Sequence, residues 1–220
     1  MRGLYAIVDV SILQKKGLDP VEFARAALAA RPAALQLRAK EMGARESLAL
    51  LRALAPVCHG VGVPLVANDR PDLAVLAGCD MVHLGQDDVP PELAHRIAPR
   101  LGIGISTHTP EQLARALDAR PAYVAYGPIF STTSKVNPDP VVGLAGLRDA
   151  ARAAERAGIP LVAIGGIDLA RAAEVGRIVP CAAVISGLIT DVTDIAGVAE
   201  RARAFAAALR SGAPGVEVHA

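Results

Sequence analysis

The stretch VANDRPDLAVLAGCDMVHLGQDD, residues 66–88, contains two short apolar runs that each turn polar at once. The first run ends in Asn68 and Asp69, and the second leads into Asp88. A burst of polar residues after a buried strand adds nothing to packing, but in a barrel of parallel strands the carboxyl ends carry the catalytic groups. The stretch therefore predicts a strand–helix–strand unit that brings two carboxylates to one rim.

The same alternation of strand and helix extends along the chain. Short apolar runs predict eight strands, at 4–8, 33–37, 64–67, 81–84, 102–105, 122–126, 161–164 and 182–185. Ala-rich segments predict a helix that opens at Asp19-Pro20 and further helices at about 44–60, 71–78, 90–100, 110–119, 144–157, 168–177 and 195–210. The pattern predicts an α/β protein with a TIM (β/α)8 barrel, and a doubly wound open sheet is the alternative.

Length and composition fit one barrel and exclude several classes of partner. The chain has 220 residues, and we expect a single catalytic domain at 1–211 followed by a flexible tail at 212–220. Aromatic residues make up 3% of the chain, Trp is absent, and the net charge is +1. These values disfavour nucleic acid and membrane as partners and favour small-molecule substrates, while a homo-oligomer stays open.

The cysteines and the amino terminus indicate the compartment. Cys58, Cys79 and Cys181 are odd in number and lack the spacing of a metal or redox motif, so we expect small buried thiols in a reducing environment. The first strand begins at Leu4 and turns acidic at Asp9, which does not match a signal peptide. We therefore expect a cytoplasmic protein.

Basic residues after the second strand predict an anion site. Strand alternation places Gln36, Arg38 and Lys40 on one face, and Arg and Lys suit phosphate oxygens. The alternative is a solvated strand end with a salt bridge to Glu41 or Glu46.

The two carboxylates at neighbouring strand ends predict a metal site. Asp69 and Asp88 have the hard oxygen ligands that Mg2+ prefers, and no basic partner is evident next to them in the sequence. The alternative for each is to cap a helix, one starting at Pro71 and the other at Pro90. His83, inside its strand, is expected to be a hydrogen-bonded core residue.

Hydroxyls and glycines on the later strands predict a second anion site. Ser106 follows the fifth strand, and His108 beside it is either an acid–base group or part of a helix entry. The long stretch 127–143 carries an expected anion clamp of Ser131, Thr132, Thr133, Ser134 and Lys135. Glycines after the seventh and eighth strands expose backbone N–H groups, the usual phosphate site of such barrels.

With these motifs in place, the chain resembles thiamine phosphate synthases over nearly its whole length. The shared motifs are Gln-Leu-Arg-x-Lys at 36–40, Asn-Asp-Arg-x-Asp-Leu-Ala at 68–74, Val-His-Leu-Gly-Gln-x-Asp at 82–88, Gly-x-Ser-Thr-His-Thr at 104–109, Tyr-x-x-x-Gly-Pro-Ile-Phe-x-Thr-x-x-Lys at 123–135 and Ala-Ile-Gly-Gly-Ile at 163–167. The resemblance implies a TIM barrel that joins a hydroxymethylpyrimidine diphosphate to a hydroxyethylthiazole phosphate with Mg2+. It also implies a dissociative substitution, in which diphosphate leaves and the thiazole nitrogen traps a pyrimidine methyl cation.

The resemblance also assigns roles by position. It implies Mg2+ ligation by Asp69 and Asp88 and catalytic roles for Arg38, Ser106 and Lys135. The expected ligands of the pyrimidine diphosphate are Gln36, Arg38, Lys40, Asn68, Ser106 and Lys135. The expected residues on the thiazole phosphate side are Thr132, Ser134, Gly166, Ile185 and Ser186, and Thr133 is a further expected substrate-binding residue.

The chain departs from the family pattern at a few positions. Ala39 stands in place of a usual Glu, Ser131 in place of Pro and Ser134 in place of Thr. The close relatives are TenI-like proteins, which include thiazole tautomerases with a His where this chain has Pro128. A tautomerase, or a non-catalytic binding or regulatory protein of the thiamine pathway, is therefore the alternative function.

Overall fold

The computed structural model describes residues 1–132, 139–190, 192 and 194–212. Eight strands form a closed parallel barrel in chain order, with β1 hydrogen-bonded to both β2 and β8. The predicted TIM barrel is confirmed, and the open sheet is wrong. The strands are β1 (Gly3–Asp9), β2 (Ala34–Arg38), β3 (Leu65–Asn68), β4 (Met81–Leu84), β5 (Gly102–Thr107), β6 (Tyr123–Tyr126), β7 (Leu161–Ile164) and β8 (Cys181–Val184).

The helices cover the outer face of the barrel. They are α1 (Val10–Lys15), α2 (Pro20–Leu28), α3 (Ala44–His59), α4 (Pro71–Ala77), α5 (Pro91–Ile97), α6 (Pro110–Asp118), α7 (Gly143–Ala157), α8 (Leu169–Gly176) and α9 (Ile195–Gly212). Asp19 and Thr109 are N-caps whose side chains accept backbone N–H bonds, as their position before proline predicts. None of the helices within these described ranges is long and apolar enough to cross a membrane.

Two short helical segments escape the sequence pattern. Helix α1 follows β1 directly, because Asp9 turns the chain and accepts a hydrogen bond from the backbone N–H of Ile12 at 3.2 Å. A 3-10 turn at Ser186–Leu188 follows β8. Both segments lie at the carboxyl ends of strands, where they shape the rim of the barrel.

Alternation along the strands separates two buried regions. Outward-facing apolar residues pack against the helices, while Tyr5, Val66, Tyr123 and Cys181 belong to a smaller cluster inside the barrel. Helix α9 extends to Gly212, so residues 213–220 of the expected tail lie outside the described residues.

The cysteines are buried and free, as expected. Burial raises the pKa of Cys58, Cys79 and Cys181 to about 12 each. These thiols therefore stay protonated and behave as small apolar side chains.

Candidate active site

The carboxyl ends of the strands gather most of the predicted site residues at one rim. Arg38 and Asn68 are the last residues of β2 and β3, and Ser106 is the penultimate residue of β5. Asp69 and Asp88 follow β3 and β4 in the adjoining loops. The topology of the barrel thus brings together side chains that are far apart in sequence.

Arg38 is held by a buried carboxylate at the end of β1. Its Nη1 donates to Oδ2 of Asp9 at 2.5 Å, and Asp9 is 2% exposed. The alternative prediction, a salt bridge to Glu41 or Glu46, is therefore wrong for Arg38. A guanidinium has five N–H donors, so the pair with Asp9 orients Arg38 without using up its capacity to bind an anion.

Lys40 lies beyond the end of β2 and contacts a predicted metal ligand. Its Nζ lies 3.3 Å from Oδ2 of Asp69. Asp69 therefore has a basic partner that is not evident next to it in the sequence, because the loops after β2 and β3 meet across the rim.

Asp69 and Asp88 face each other. Burial, followed by hydrogen bonding and charge repulsion with Asp88, raises the pKa of Asp69, while Lys40 lowers it. The adjacent carboxyl groups give a divalent cation two hard oxygen ligands, and the cation would relieve their repulsion.

Neither carboxylate caps a helix. Asp69 has φ of +65°, in the left-handed region, and Arg70 rather than Asp69 takes the N-cap position of α4. Pro90 takes that position in α5, while Oδ2 of Asp88 accepts the backbone N–H of Gly85 at 2.6 Å. The capping alternatives are wrong, and both carboxylates are turned to the rim instead.

The two carboxylates are suitable ligands for Mg2+, although they fill only part of its coordination shell. No cluster of three or more His, Cys, Asp or Glu side chains suited to a metal occurs among residues 1–132, 139–190, 192 and 194–212. Two carboxylates are what Mg2+ uses when waters and substrate phosphates complete its octahedral shell. Asp69 and Asp88 would therefore hold the ion jointly with a phosphorylated substrate.

Gln36 is buried inside the barrel. It is 3% exposed and donates through Nε2 to the hydroxyl of Tyr5 at 2.9 Å, inside the barrel. Gln36 and Arg38 do share the inward face of β2, but Lys40 is outside the strand. His83 is a hydrogen-bonded core residue, as expected, and its Nε2 lies 2.9 Å from Oγ of Ser106.

An open cleft lies at the other half of the rim. Its lining includes five predicted residues, which are Ser106, Thr132, Gly166, Ile185 and Ser186. His108 and Asp139 line it too, with His108 Nδ1 at 2.6 Å from the carbonyl oxygen of Gly127 and 3.5 Å from Oδ2 of Asp139. No motif in the sequence predicts that Asp139 lies beside His108 in this cleft.

The glycines after β7 are required by the packing at this cleft. Gly165 and Gly166 have φ of +99° and +65°. A Cβ on Gly165 would lie 2.5 Å from Cα of Pro128, and one on Gly166 would lie 2.4 Å from the carbonyl oxygen of Ser131. The two glycines therefore let the loops after β6 and β7 approach each other.

The predicted clamp is only partly among the described residues. Thr133, Ser134 and Lys135 lie outside the described residues. Their expected roles remain predictions.

The sequence that forms the barrel matches a known protein family. The family model described as thiamine monophosphate synthase matches residues 4–188. The chain belongs to the thiamine monophosphate synthase family. The match runs from β1 to the 3-10 turn after β8, so it includes every strand that builds the rim.

Members of the family are similar over most of the chain. A thiamine-phosphate synthase of Anaeromyxobacter dehalogenans is 42% identical over 207 residues, covering 93% of this chain and 88% of the relative. One from Koribacter versatilis is 47% identical over 174 residues, covering 74% and 77%. A solved thiamine phosphate pyrophosphorylase from Pyrococcus furiosus superposes with a TM-score of 0.81 at 32% identity, covering 94% of this chain and 96% of that one.

Proposed function

We propose that this protein is a thiamine phosphate synthase, a transferase that joins a hydroxymethylpyrimidine diphosphate to a hydroxyethylthiazole phosphate. The observation that carries the proposal is a rim with two unlike halves. The loops after β1 to β4 present Arg38, Lys40 and the facing carboxylates, and those after β6 to β8 present the glycine-lined cleft. One half suits a diphosphate with a metal ion, and the other suits a monophosphate.

The first half would bind the leaving group. Arg38, oriented by Asp9, and Lys40 would donate to diphosphate oxygens. Asp69 and Asp88 would hold Mg2+, which, when bound, neutralises negative charge on the departing diphosphate. Stabilising a leaving anion in this way is the main task of the site.

The second half would bind the nucleophile. Backbone N–H groups around Gly166 and Ser186 would receive the thiazole phosphate, and the cleft would hold the thiazole ring. Bringing the two substrates together makes the bond-forming step effectively unimolecular.

The reaction is balanced without a general base. The bond from the pyrimidine methylene carbon to the diphosphate oxygen breaks, and its electron pair leaves with the diphosphate. The lone pair of the thiazole nitrogen then forms the new carbon–nitrogen bond. No proton has to be removed, which agrees with a rim that supplies charges and hydrogen bonds.

The tautomerase alternative gains no specific support. Pro128 lines the cleft at the position where the resemblance places the tautomerase histidine, and its side chain is neither acid nor base. A cytoplasmic location belongs to the same proposal, supported by the three buried free thiols.

The test is product formation by the purified protein. Incubated with both substrates and Mg2+, it should form thiamine phosphate detectable by mass spectrometry, and Asp88→Asn, with its fold checked by circular dichroism, should form far less. A correctly folded protein that makes no thiamine phosphate under these conditions would refute the proposal.

A further inference from the structure

A row of five polar side chains crosses the barrel interior and ends at the rim. Gln36 Nε2 lies 2.9 Å from the hydroxyl of Tyr5, which lies 2.8 Å from the hydroxyl of Tyr123. That second hydroxyl lies 2.9 Å from His83 Nδ1, and His83 Nε2 lies 2.9 Å from Ser106 Oγ. Each of the five side chains comes from a different strand, in the order β2, β1, β6, β4 and β5.

The surroundings of the row are closed to water. Tyr123 is fully buried, Tyr5 and Gln36 are 2% and 3% exposed, and His83 is 8% exposed. Burial raises the pKa of both tyrosines, so each keeps its hydroxyl hydrogen. Each of these hydrogens needs an acceptor, because a buried donor without one carries its full desolvation penalty.

The distance between the two hydroxyls alone lets either tyrosine donate to the other. Because the Gln36 amide donates to Tyr5, the order that gives every buried hydrogen of the row an acceptor has Tyr5 donate to Tyr123. Tyr123 then gives its own hydrogen to Nδ1 of His83. A neutral imidazole that accepts at Nδ1 carries its hydrogen on Nε2 and donates there to Ser106.

The sequence builds the row through strand alternation and one glycine. Gly104 pairs with both His83 and Tyr123 in the barrel, and a Cβ there would lie 2.1 Å from Cζ of Tyr123. Without that Cβ, the Tyr123 ring stacks on His83, with centroids 5.6 Å apart and planes at 13°. A second contact fixes the end of the row, since Gln86 Nε2 donates to the carbonyl oxygen of Ser106 at 2.6 Å.

We propose that His83 is a positioning residue, held by Tyr123 as the Nε2–H tautomer, which makes Ser106 a hydrogen-bond donor to the pyrimidine diphosphate. Ser106 Oγ accepts from His83, so its own hydrogen is left to donate to a ligand at the rim, where Ser106 ends the row. The Ser106 hydroxyl would therefore select a ligand that has a hydrogen-bond acceptor at this position. The identity of that ligand rests on the proposed function, whereas the order of donors does not.

The order of donors is tested by nitrogen-15 NMR of the ligand-free protein. The chain has five histidines, so the His83 signals are assigned as those lost in His83→Gln. We expect a protonated Nε2 and an unprotonated Nδ1. A signal showing hydrogen on Nδ1 of His83 would overturn the inference, whatever the activity of the protein.

Two matched variants separate positioning from packing. Tyr123→Phe removes the hydroxyl that donates to Nδ1 of His83 and should give a mixture of His83 tautomers. Tyr5→Phe also removes a tyrosine hydroxyl, but one that does not contact His83, so His83 should keep its hydrogen on Nε2. By calorimetry, Tyr123→Phe should lower affinity for the pyrimidine diphosphate by about tenfold, the effect of one lost hydrogen bond. Tyr5→Phe should lower it much less, and neither should change affinity for the thiazole phosphate.

Equal losses of affinity for the pyrimidine diphosphate in Tyr123→Phe and Tyr5→Phe would mean that the row only packs the barrel interior. That result would refute the positioning role of His83. The protein could also show the Nε2–H tautomer, and a larger loss of pyrimidine diphosphate affinity in Tyr123→Phe than in Tyr5→Phe, but form no thiamine phosphate. That result would support His83 as a positioning residue and refute the proposed function.

Discussion

Lys40 Nζ lies 3.3 Å from Oδ2 of Asp69, so the predicted diphosphate ligand and a predicted metal ligand form an ion pair across the rim. Both groups are partly exposed, so the pair itself adds little stability. A cation bound to Asp69 would compete for the same carboxylate and leave Lys40 to the diphosphate. We therefore expect Lys40→Ala to weaken binding of the pyrimidine diphosphate by about tenfold, the effect of one lost charge-assisted hydrogen bond.

Calorimetry with each substrate in turn checks this expectation. Binding of the thiazole phosphate should stay nearly unchanged, because its cleft lies on the other side of the rim. Equal weakening of both substrates would mean that Lys40 does not belong to a single anion site.

Removal of the metal should abolish most of the activity. Asp88→Asn keeps an oxygen that can accept from the backbone N–H of Gly85 but loses the charge that faces Asp69. We expect turnover to fall by about two orders of magnitude, the scale of several kcal/mol of lost charge stabilisation. Full turnover in excess chelator would show that no metal is needed.

Asp9 should matter for stability, although it is not among the predicted site residues. Asp9→Asn leaves the Arg38 guanidinium without its buried partner, while Asn can still cap α1. We expect a loss of about 3 kcal/mol in the free energy of unfolding. Asp149→Asn, which breaks an exposed ion pair with Arg152, should cost less than about 1 kcal/mol. Similar urea midpoints for the two variants would contradict a buried role for Asp9.

Gly166 should be more sensitive to substitution than Gly158, a glycine with a similar positive φ elsewhere. Gly158 has φ of +69° with no atom within 4 Å of a built Cβ, whereas the Cβ of an alanine at 166 would lie 2.4 Å from the carbonyl oxygen of Ser131. Gly158→Ala should cost only backbone strain, about 1 kcal/mol. Gly166→Ala should cost more and should also raise KM for the thiazole phosphate.

Thermal unfolding and steady-state kinetics of the two glycine variants check this difference. Identical stability and identical KM would mean that the loops after β6 and β7 do not depend on their close approach.

The buried thiols predict a pH dependence. Their pKa is raised from 9.0 to about 12, so the unfolded chain loses these protons at lower pH than the folded chain does. The stabilisation is complete below pH 9 and is lost as pH rises toward 12. At pH 9 an alkylating reagent should modify the cysteines in urea but not in the native protein, because the thiolate is the reactive form. Rapid native labelling would show that a cysteine is accessible.

The strands were predictable because each is a short apolar run with a polar end. Helix α1 was not, since Val10 and Ile12 extend the apolar run of β1 and resemble more strand. Its start depends on the side chain of Asp9, which acts as a cap only once the chain has turned.

The side-chain partners at the rim and inside the barrel could not be predicted from sequence. Arg38 and Asp9 are 29 positions apart, and Tyr5 and Tyr123 are 118 apart. Which of them meet is fixed by strand register and by which loops converge, and neither is encoded locally. The residue types at strand ends were recognisable, but the pairing of Lys40 with Asp69 and the depth of Gln36 depend on the closed barrel.

The most direct test of the account is to follow both products of the purified protein in one reaction by phosphorus-31 NMR. With both substrates and Mg2+ present, diphosphate and thiamine phosphate should appear at the same rate and in equal amounts. Without the thiazole phosphate, release of diphosphate should be much slower. Diphosphate released at an undiminished rate with no thiamine phosphate formed would contradict the account, because the rim would then hydrolyse one substrate rather than join two.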